Sequence, residues 1–230
     1  MADYDLYYWP VPFRGQFLRA ILAYAGQSWA EHDAQEIEAL MAADPARQPV
    51  PFMGAPVLIE RESGLALSQM PAIALYLGDR LGLVEQTAQA RALATKVVND
   101  ANDVIDAMTL DGGRQMWTQE RWEAFQPRRW MTIWESMGAR HGLTRDAGFL
   151  LGTAQAGLAD IVTHVLWTTM ADRFRPIAAL LEEAAPCAMA LARRMQAVPS
   201  LAATGRKAFA DYGDAWCGGE IEQSLRKVLT

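Results

Sequence analysis

Apolar positions change their period about a third of the way along the chain. Tyr4 to Trp9 is an aromatic-rich run that reads as a strand. Pro10, Pro12 and Gly15 interrupt it, and Phe17, Leu18, Ile21, Leu22 and Ala25 then recur at helical spacing until Gly26 ends the helix. Trp29 to Ala34 reads as a second strand, and Asp44 to Pro51, with three prolines, as loop. Val57 to Arg61 and Leu65 to Ser68 bracket the turn signal Glu62-Ser63-Gly64, which predicts a hairpin, and Pro71 opens a helix that runs to Gly78. Asp79 to Ala88 reads as a linker. Beyond Ala90 strand signals almost vanish. Leu93, Val97, Ala101, Val104, Ile105 and Met108 follow a helical period, as do Trp130, Ile133, Trp134 and Met137. Leu158 to Met170 and Cys187 to Ala197 read as two further helices. The pattern predicts a mixed α/β unit over 1–78, a linker over 79–88 and an all-helical unit over 89–230.

Bulk properties narrow the partners. The 230 residues are 51% hydrophobic and 21% charged, which suits folded units with a sizeable core. A formal net charge of −6 argues against nucleic acid or an anionic membrane as the main partner. No apolar run reaches membrane-spanning length, and Asp3 and Asp5 stand where a signal peptide would be basic, so a cytoplasmic location is expected. Cys187 and Cys217 lie far apart with no C-x-x-C pattern, and read as free thiols. His32, His141 and His164 fall in no ligand-spacing cluster, so no metal is expected.

The segment from Leu6 to Arg19, with Tyr8, Trp9-Pro10-Val11-Pro12-Phe13, Arg14 and Arg19, resembles the opening of the tyrosine-type (mu, pi and sigma) classes of the cytosolic glutathione S-transferases. Gly26-Gln27-Ser28-Trp29 is similar to the pi class, and Ala55-Pro56 followed by Gln69-Met70-Pro71 resembles the family's glutathione-binding half. The chain is thus identified as a bacterial-style, tyrosine-type member. The order β-α-β, loop, β-β-α is that of a thioredoxin-like domain. The resemblance implies a thioredoxin-like N-terminal domain plus an all-α C-terminal domain, the glutathione S-transferase fold, in a cytoplasmic homodimeric detoxification enzyme. Its implied reaction is attack of glutathione thiolate on a hydrophobic electrophile, with glutathione as co-substrate and no metal, nucleic acid or membrane involved.

Carried over residue by residue, the resemblance makes Tyr8 the catalytic hydroxyl. A donor to sulfur favours the thiolate of a group whose ordinary pKa is near 8.5. Tyr7 points to the other face of the strand. Arg14 stands where pi-like members carry a basic residue beside the glutathione, and Arg47 where the family often has a lysine on the glycyl carboxylate; either also reads as a solvated arginine. Pro56 corresponds to the cis-proline that turns Ala55 toward the cysteinyl backbone of the ligand. Gln69 matches a ligand contact, whereas Met70 replaces the serine whose hydroxyl and N–H bind the γ-glutamyl carboxylate at the helix start. Met is a poor N-cap and Pro71 removes a donor, so weaker glutathione binding is expected. A non-catalytic binding protein on the same fold is the alternative that this substitution raises. Trp9 and Phe13 are candidate walls of the hydrophobic pocket. Met108 is another, within a Met- and Trp-rich set (Met116, Trp117, Trp122, Trp130, Trp134, Met137) that reads equally as plain core. Asp100 or Asp103 is a candidate acid reaching the ligand across a dimer, or a solvated helix face. In Gly157-Leu158-Ala159-Asp160, Asp160 is expected to cap a helix. A redox enzyme is disfavoured, because no cysteine lies near the first helix.

Overall fold

Four strands lie side by side in the order β2 (Trp29–His32), β1 (Tyr4–Tyr7), β3 (Val57–Glu60) and β4 (Ala66–Ser68) in the computed structural model, which describes residues 2–229. β1 runs parallel to β2 and antiparallel to β3, with Tyr7 opposite both His32 and Val57. β3 runs antiparallel to β4, with Val57 opposite Ser68. This register has a functional consequence. The residue after β1, the residue before β3 and the residue after β4 (Tyr8, Pro56 and Gln69) all emerge at one end of the sheet.

Strand β1 alternates between buried Tyr4 and Leu6 and half-buried Asp5 and Tyr7, and buried Tyr8 continues the alternation past the strand end. The strand expected to reach Trp9 stops at Tyr7. There the Val11 N–H bonds the Trp9 carbonyl at 2.7 Å, a three-residue turn that breaks the ladder. Helix α1 (Phe13–Tyr24) follows and is buried over most of its first ten residues, and Gly26 at φ +69 leaves it as expected. β2 is two residues shorter than expected, because Asp33 starts a helix instead. The Asp33 carboxylate accepts from the Glu36 N–H (2.9 Å), and the Glu36 carboxylate from the Asp33 N–H (3.0 Å), a capping box that opens α2 (Ala34–Ala42). Within the proline-rich loop, Pro45–Arg47 makes one 3-10 turn.

Helix α3 (Met70–Arg80) begins at Met70, with Pro71 second, and continues two residues past Gly78. The remainder is helical: α4 (Ala88–Met108), a turn α5 (Leu110–Gly113), α6 (Gln119–Ala124), α7 (Pro127–Arg140), α8 (Leu158–Ala171), α9 (Arg175–Ala184), α10 (Pro186–Gln196), α11 (Pro199–Tyr212) and α12 (Gly219–Val228). α8 is buried almost all round, as a helix enclosed by neighbours must be. It packs against α1, α4, α9 and α10. Its start follows the expectation for Asp160, whose carboxylate accepts from the Gly157 and Leu150 N–H groups, each at 2.8 Å. One continuous apolar core runs from Leu6, Phe17 and Leu22 through Leu77 and Val97 to Trp167 and Leu191, so the sheet unit and the helical unit share it.

Candidate active site

At the end of β1 the Tyr8 side chain is 4% exposed, and its ring lies over Gly15. A Cβ at position 15 would stand 2.3 Å from the Tyr8 ring, so glycine is required for this approach. The Tyr8 Oη accepts the Arg14 N–H at 3.1 Å at the start of α1. Burial pushes the Tyr8 pKa up to about 12, against the pull of Arg14 and Arg19. The hydroxyl therefore stays protonated at neutral pH. With one lone pair taken by the Arg14 N–H, its proton is free to be donated to a ligand.

Two arginines fix this corner. Arg14 reaches across to α4, with Nε donating to Asn102 Oδ1 (3.3 Å) and Nη2 to Asp106 Oδ1 (3.2 Å), while its guanidinium lies 4.8 Å from the Phe13 ring centre. Arg19 is buried and forks onto Glu31 at 2.7 and 3.0 Å, and its Nη1 donates to the Val11 carbonyl at 3.1 Å. Arg19 thus holds the turn that presents Tyr8. Tyr7, on the opposite face, stacks on His32 with ring centres 3.9 Å apart.

The C-terminal segment closes over the same corner. The Phe13 N–H bonds the Trp216 carbonyl (3.1 Å), and the two rings meet edge to face at 5.1 Å. One oxygen of Glu222 accepts from the N–H groups of Trp216, Cys217 and Gly218 at 2.9, 2.9 and 2.7 Å, and the other accepts from Arg226. Burial works against the Glu222 charge, but these donors outweigh it and lower the pKa. Cys217 is the thiol near Tyr8, and burial raises its pKa to about 12, so it is not a thiolate at neutral pH.

The other residues singled out by sequence take different positions. The Ala55–Pro56 peptide is cis, with Pro56 buried and Ala55 half-buried. Gln69 is exposed and holds φ +73, a left-handed value that costs a non-glycine residue. It is also the N-cap of α3, with no side-chain cap bond, which corrects the assignment of that position to Met70. The Met70 side chain is wholly buried in the core, so only its backbone faces the helix start. Arg47 is exposed on its 3-10 turn. Trp9 is half-buried beside the turn. Met108 is buried at the end of α4, where its carbonyl accepts from Trp117 Nε1 at 3.0 Å. Much of the Met- and Trp-rich set is core, including Trp117, Trp134 and Met137. Asp100 pairs with Lys96 along α4, and Asp103 is exposed. Sequence reasoning missed Asn102 and Asp106, although their spacing of four on a helix puts both on one face. It also missed Glu222, whose role depends on a loop conformation that no local pattern announces. Among the described residues, no group of three His, Cys, Asp or Glu side chains could hold a metal ion, and no helix is long and apolar enough to cross a membrane.

Residues 93–228 match the family model described as "Glutathione S-transferase, C-terminal domain". The chain belongs to the glutathione S-transferase family. Its layout of a mixed four-stranded sheet unit followed by helices is the glutathione S-transferase fold. Over 118 residues it is 33% identical to probable glutathione S-transferase 6 of Caenorhabditis elegans, covering 49% of this chain and 54% of that protein. Over 107 residues it is 34% identical to hematopoietic prostaglandin D synthase of Gallus gallus, covering 46% and 50%. The chain spans about half the length of the curated relatives it matches. Among solved structures, NaGST-2 superposes with a TM-score of 0.70 at 22% identity, over 90% of this chain and 97% of that one. Prostaglandin synthase D of Nilaparvata lugens superposes with 0.68 at 19% identity, over 89% and 98%. These structural likenesses concern the fold.

Proposed function

We propose that this glutathione S-transferase family member is a tyrosine-type enzyme that conjugates glutathione to a hydrophobic electrophile. In this reading residues 1–78 bind glutathione, 79–88 are a linker and 89–230 complete the electrophile pocket. The observation that carries the reading is the convergence of Tyr8, Ala55-Pro56 and the left-handed Gln69 at one end of the sheet, beside the start of α3.

The Tyr8 proton is donated to the glutathione sulfur, which favours the thiolate over the thiol. The strand-like edge at Ala55 pairs with the backbone of the tripeptide. The Gln69 amide and the N–H groups at the start of α3 receive its γ-glutamyl carboxylate, as helix starts receive anions. Arg14 and Arg47 supply positive charge on either side, and Met70 contributes only its N–H. The electrophile then rests against Trp9 and Phe13, with Met108 behind, and the thiolate attacks it. The family's homodimer would bring Asp100 or Asp103 of a second copy toward the ligand.

Calorimetric titration of glutathione, paired with turnover of a chloronitrobenzene, tests the reading. One hydrogen bond to a charged sulfur contributes roughly 1.5–3 kcal/mol. Tyr8→Phe is therefore expected to lower kcat about 10- to 100-fold while glutathione affinity changes less than about threefold. Undiminished turnover in Tyr8→Phe would sink the assignment. No glutathione binding at millimolar concentration would leave a binding protein for another ligand.

A further inference from the structure

Asn102 and Asp106 stand one turn apart on α4, and both meet the side chain of Arg14 from the start of α1. Arginine is long and flexible, yet four contacts fix this one. Its backbone N–H donates to the Tyr8 Oη, its Nε to Asn102 Oδ1 and its Nη2 to Asp106 Oδ1, while the guanidinium lies over the Phe13 ring. Nη1 makes no hydrogen bond among the described residues, so donors are left over. The other acids of this stretch take no part, since Asp100 pairs with Lys96 and Asp103 is exposed.

The two α4 partners differ in charge. Each accepts one hydrogen bond of similar length, 3.3 Å at Asn102 and 3.2 Å at Asp106, but only Asp106 is an anion. Asp106 therefore acts on Arg14 in two opposed ways. As an acceptor it holds the guanidinium at the Tyr8 corner, and as an anion it cancels part of the field that the guanidinium projects there. That field reaches the Tyr8 hydroxyl. Burial has the largest effect on the Tyr8 proton, and the charge of Arg14 comes next, ahead of that of Arg19. The Asp106 side chain is 51% exposed and that of Arg14 only 22%, so the cation is the better shielded member of the pair.

Resting on the reading that Tyr8 donates its proton to the glutathione sulfur, we propose that Asp106 is a positioning residue for that sulfur: it acts through Arg14 and sets how much of the bound glutathione is thiolate. A sulfur that accepts from Tyr8 lies in the same field as the Tyr8 hydroxyl. A guanidinium held in place and left uncancelled favours the thiolate, and one released to solvent does not. The Asp106 pair gains orientation and gives up part of the charge. Asn102 supplies orientation alone.

Ultraviolet absorbance of the thiolate, titrated with pH on the full chain saturated with glutathione, tests the proposal. The pH dependence of kcat reads the same group in the complex. Asp106→Asn keeps an acceptor and removes the charge, so the midpoint of ionisation is expected to fall by about 0.5 pH units. Asp106→Leu removes both and frees the guanidinium, so the midpoint is expected to rise by a similar amount. A purely structural contact would move both variants the same way or neither. Thermal melting checks that they fold, and Asp106→Asn, which retains the hydrogen bond, decides the matter if Asp106→Leu does not. A wild-type midpoint in Asp106→Asn overturns the proposal, as does a shift of both variants in one direction. Absence of a thiolate band in the wild-type complex overturns the reading of Tyr8 and the proposal with it. That result is distinct from an unshifted midpoint in a complex that shows the band.

Discussion

Gln69 shows at the scale of one residue how the junction of β4 and α3 leaves a mark on the backbone. Its φ of +73 is a conformation that glycine adopts freely and a branched-Cβ-free but bulky residue does not. The cost is tolerated at the point where β4 turns into α3 and the ligand carboxylate is proposed to bind. Gln69→Gly is therefore expected to raise unfolding stability by about 0.5–1 kcal/mol, net of the greater freedom of glycine in the unfolded chain. Glutathione affinity is expected to fall, because the amide is lost. Urea unfolding and calorimetry on the same variant read the two effects, and a drop in stability would show that the strain argument is wrong. Histidine 32 gives a second residue-scale prediction. It lies between Asp5 (2.7 Å) and Glu36 (2.9 Å), and although burial opposes its charge, these hydrogen bonds raise its pKa. Its stabilising contribution is fully present below the unfolded pKa near 6.5 and lost as pH rises through the higher folded value. His32→Gln is expected to flatten the stability–pH profile on that alkaline flank. Of these candidate residues, Tyr8 and Pro56 were singled out in the sequence because a resemblance carried them, and the structure brings both to one end of the sheet. The Gln69 strain and the Arg14 partners were not, because they arise only when β4, α3 and α4 have been placed.

At the scale of elements, legibility followed the strength of the apolar period. α4 and α8 bury wide faces and were readable from spacing, whereas α2 buries only Ile37 and carries no clear stripe. The Asp33…Glu36 box announced α2 locally, but an aromatic-led run ending at Ala34 competed with it. α12 was invisible for a different reason. Its period is strong, yet its partners are a turn at Leu110–Gly113 and a loop tied by one carboxylate, both distant in sequence. Glu222 accepts three backbone N–H bonds and an arginine, and charge-assisted bonds of this kind contribute roughly 1.5–3 kcal/mol. Glu222→Ala is expected to cost about 2–3 kcal/mol and to speed hydrogen exchange at Trp216–Gly218. Restoring the shape with Gln would recover only part, because the charge is gone. If Glu222→Ala unfolds at the same urea concentration as the wild type, the clamp contributes nothing to stability.

The whole molecule joins a sheet unit to a helical unit, and the question is whether they unfold together. α1 packs on α3 within the sheet unit and on α8 and α11 beyond it, and α3 packs on α4. The apolar cluster passes through these contacts without a break, and Arg14 ties the start of α1 to Asn102 and Asp106. Separating the units would expose α1, which is buried on nearly every side over its first ten residues, at roughly 25 cal/mol per Å² of apolar surface. An intermediate with one unit unfolded is therefore disfavoured, and a single cooperative transition is expected despite the two-unit layout. Tryptophan fluorescence reports mainly the helical unit, since six of the eight tryptophans (Trp117, Trp122, Trp130, Trp134, Trp167 and Trp216) lie there. Native-state hydrogen exchange at β1 and β3 reports the sheet. The two probes are expected to give the same unfolding free energy. A lower value for the sheet amides would mean that the sheet unit opens on its own, and Arg14→Ala would then leave that opening unchanged rather than promote it.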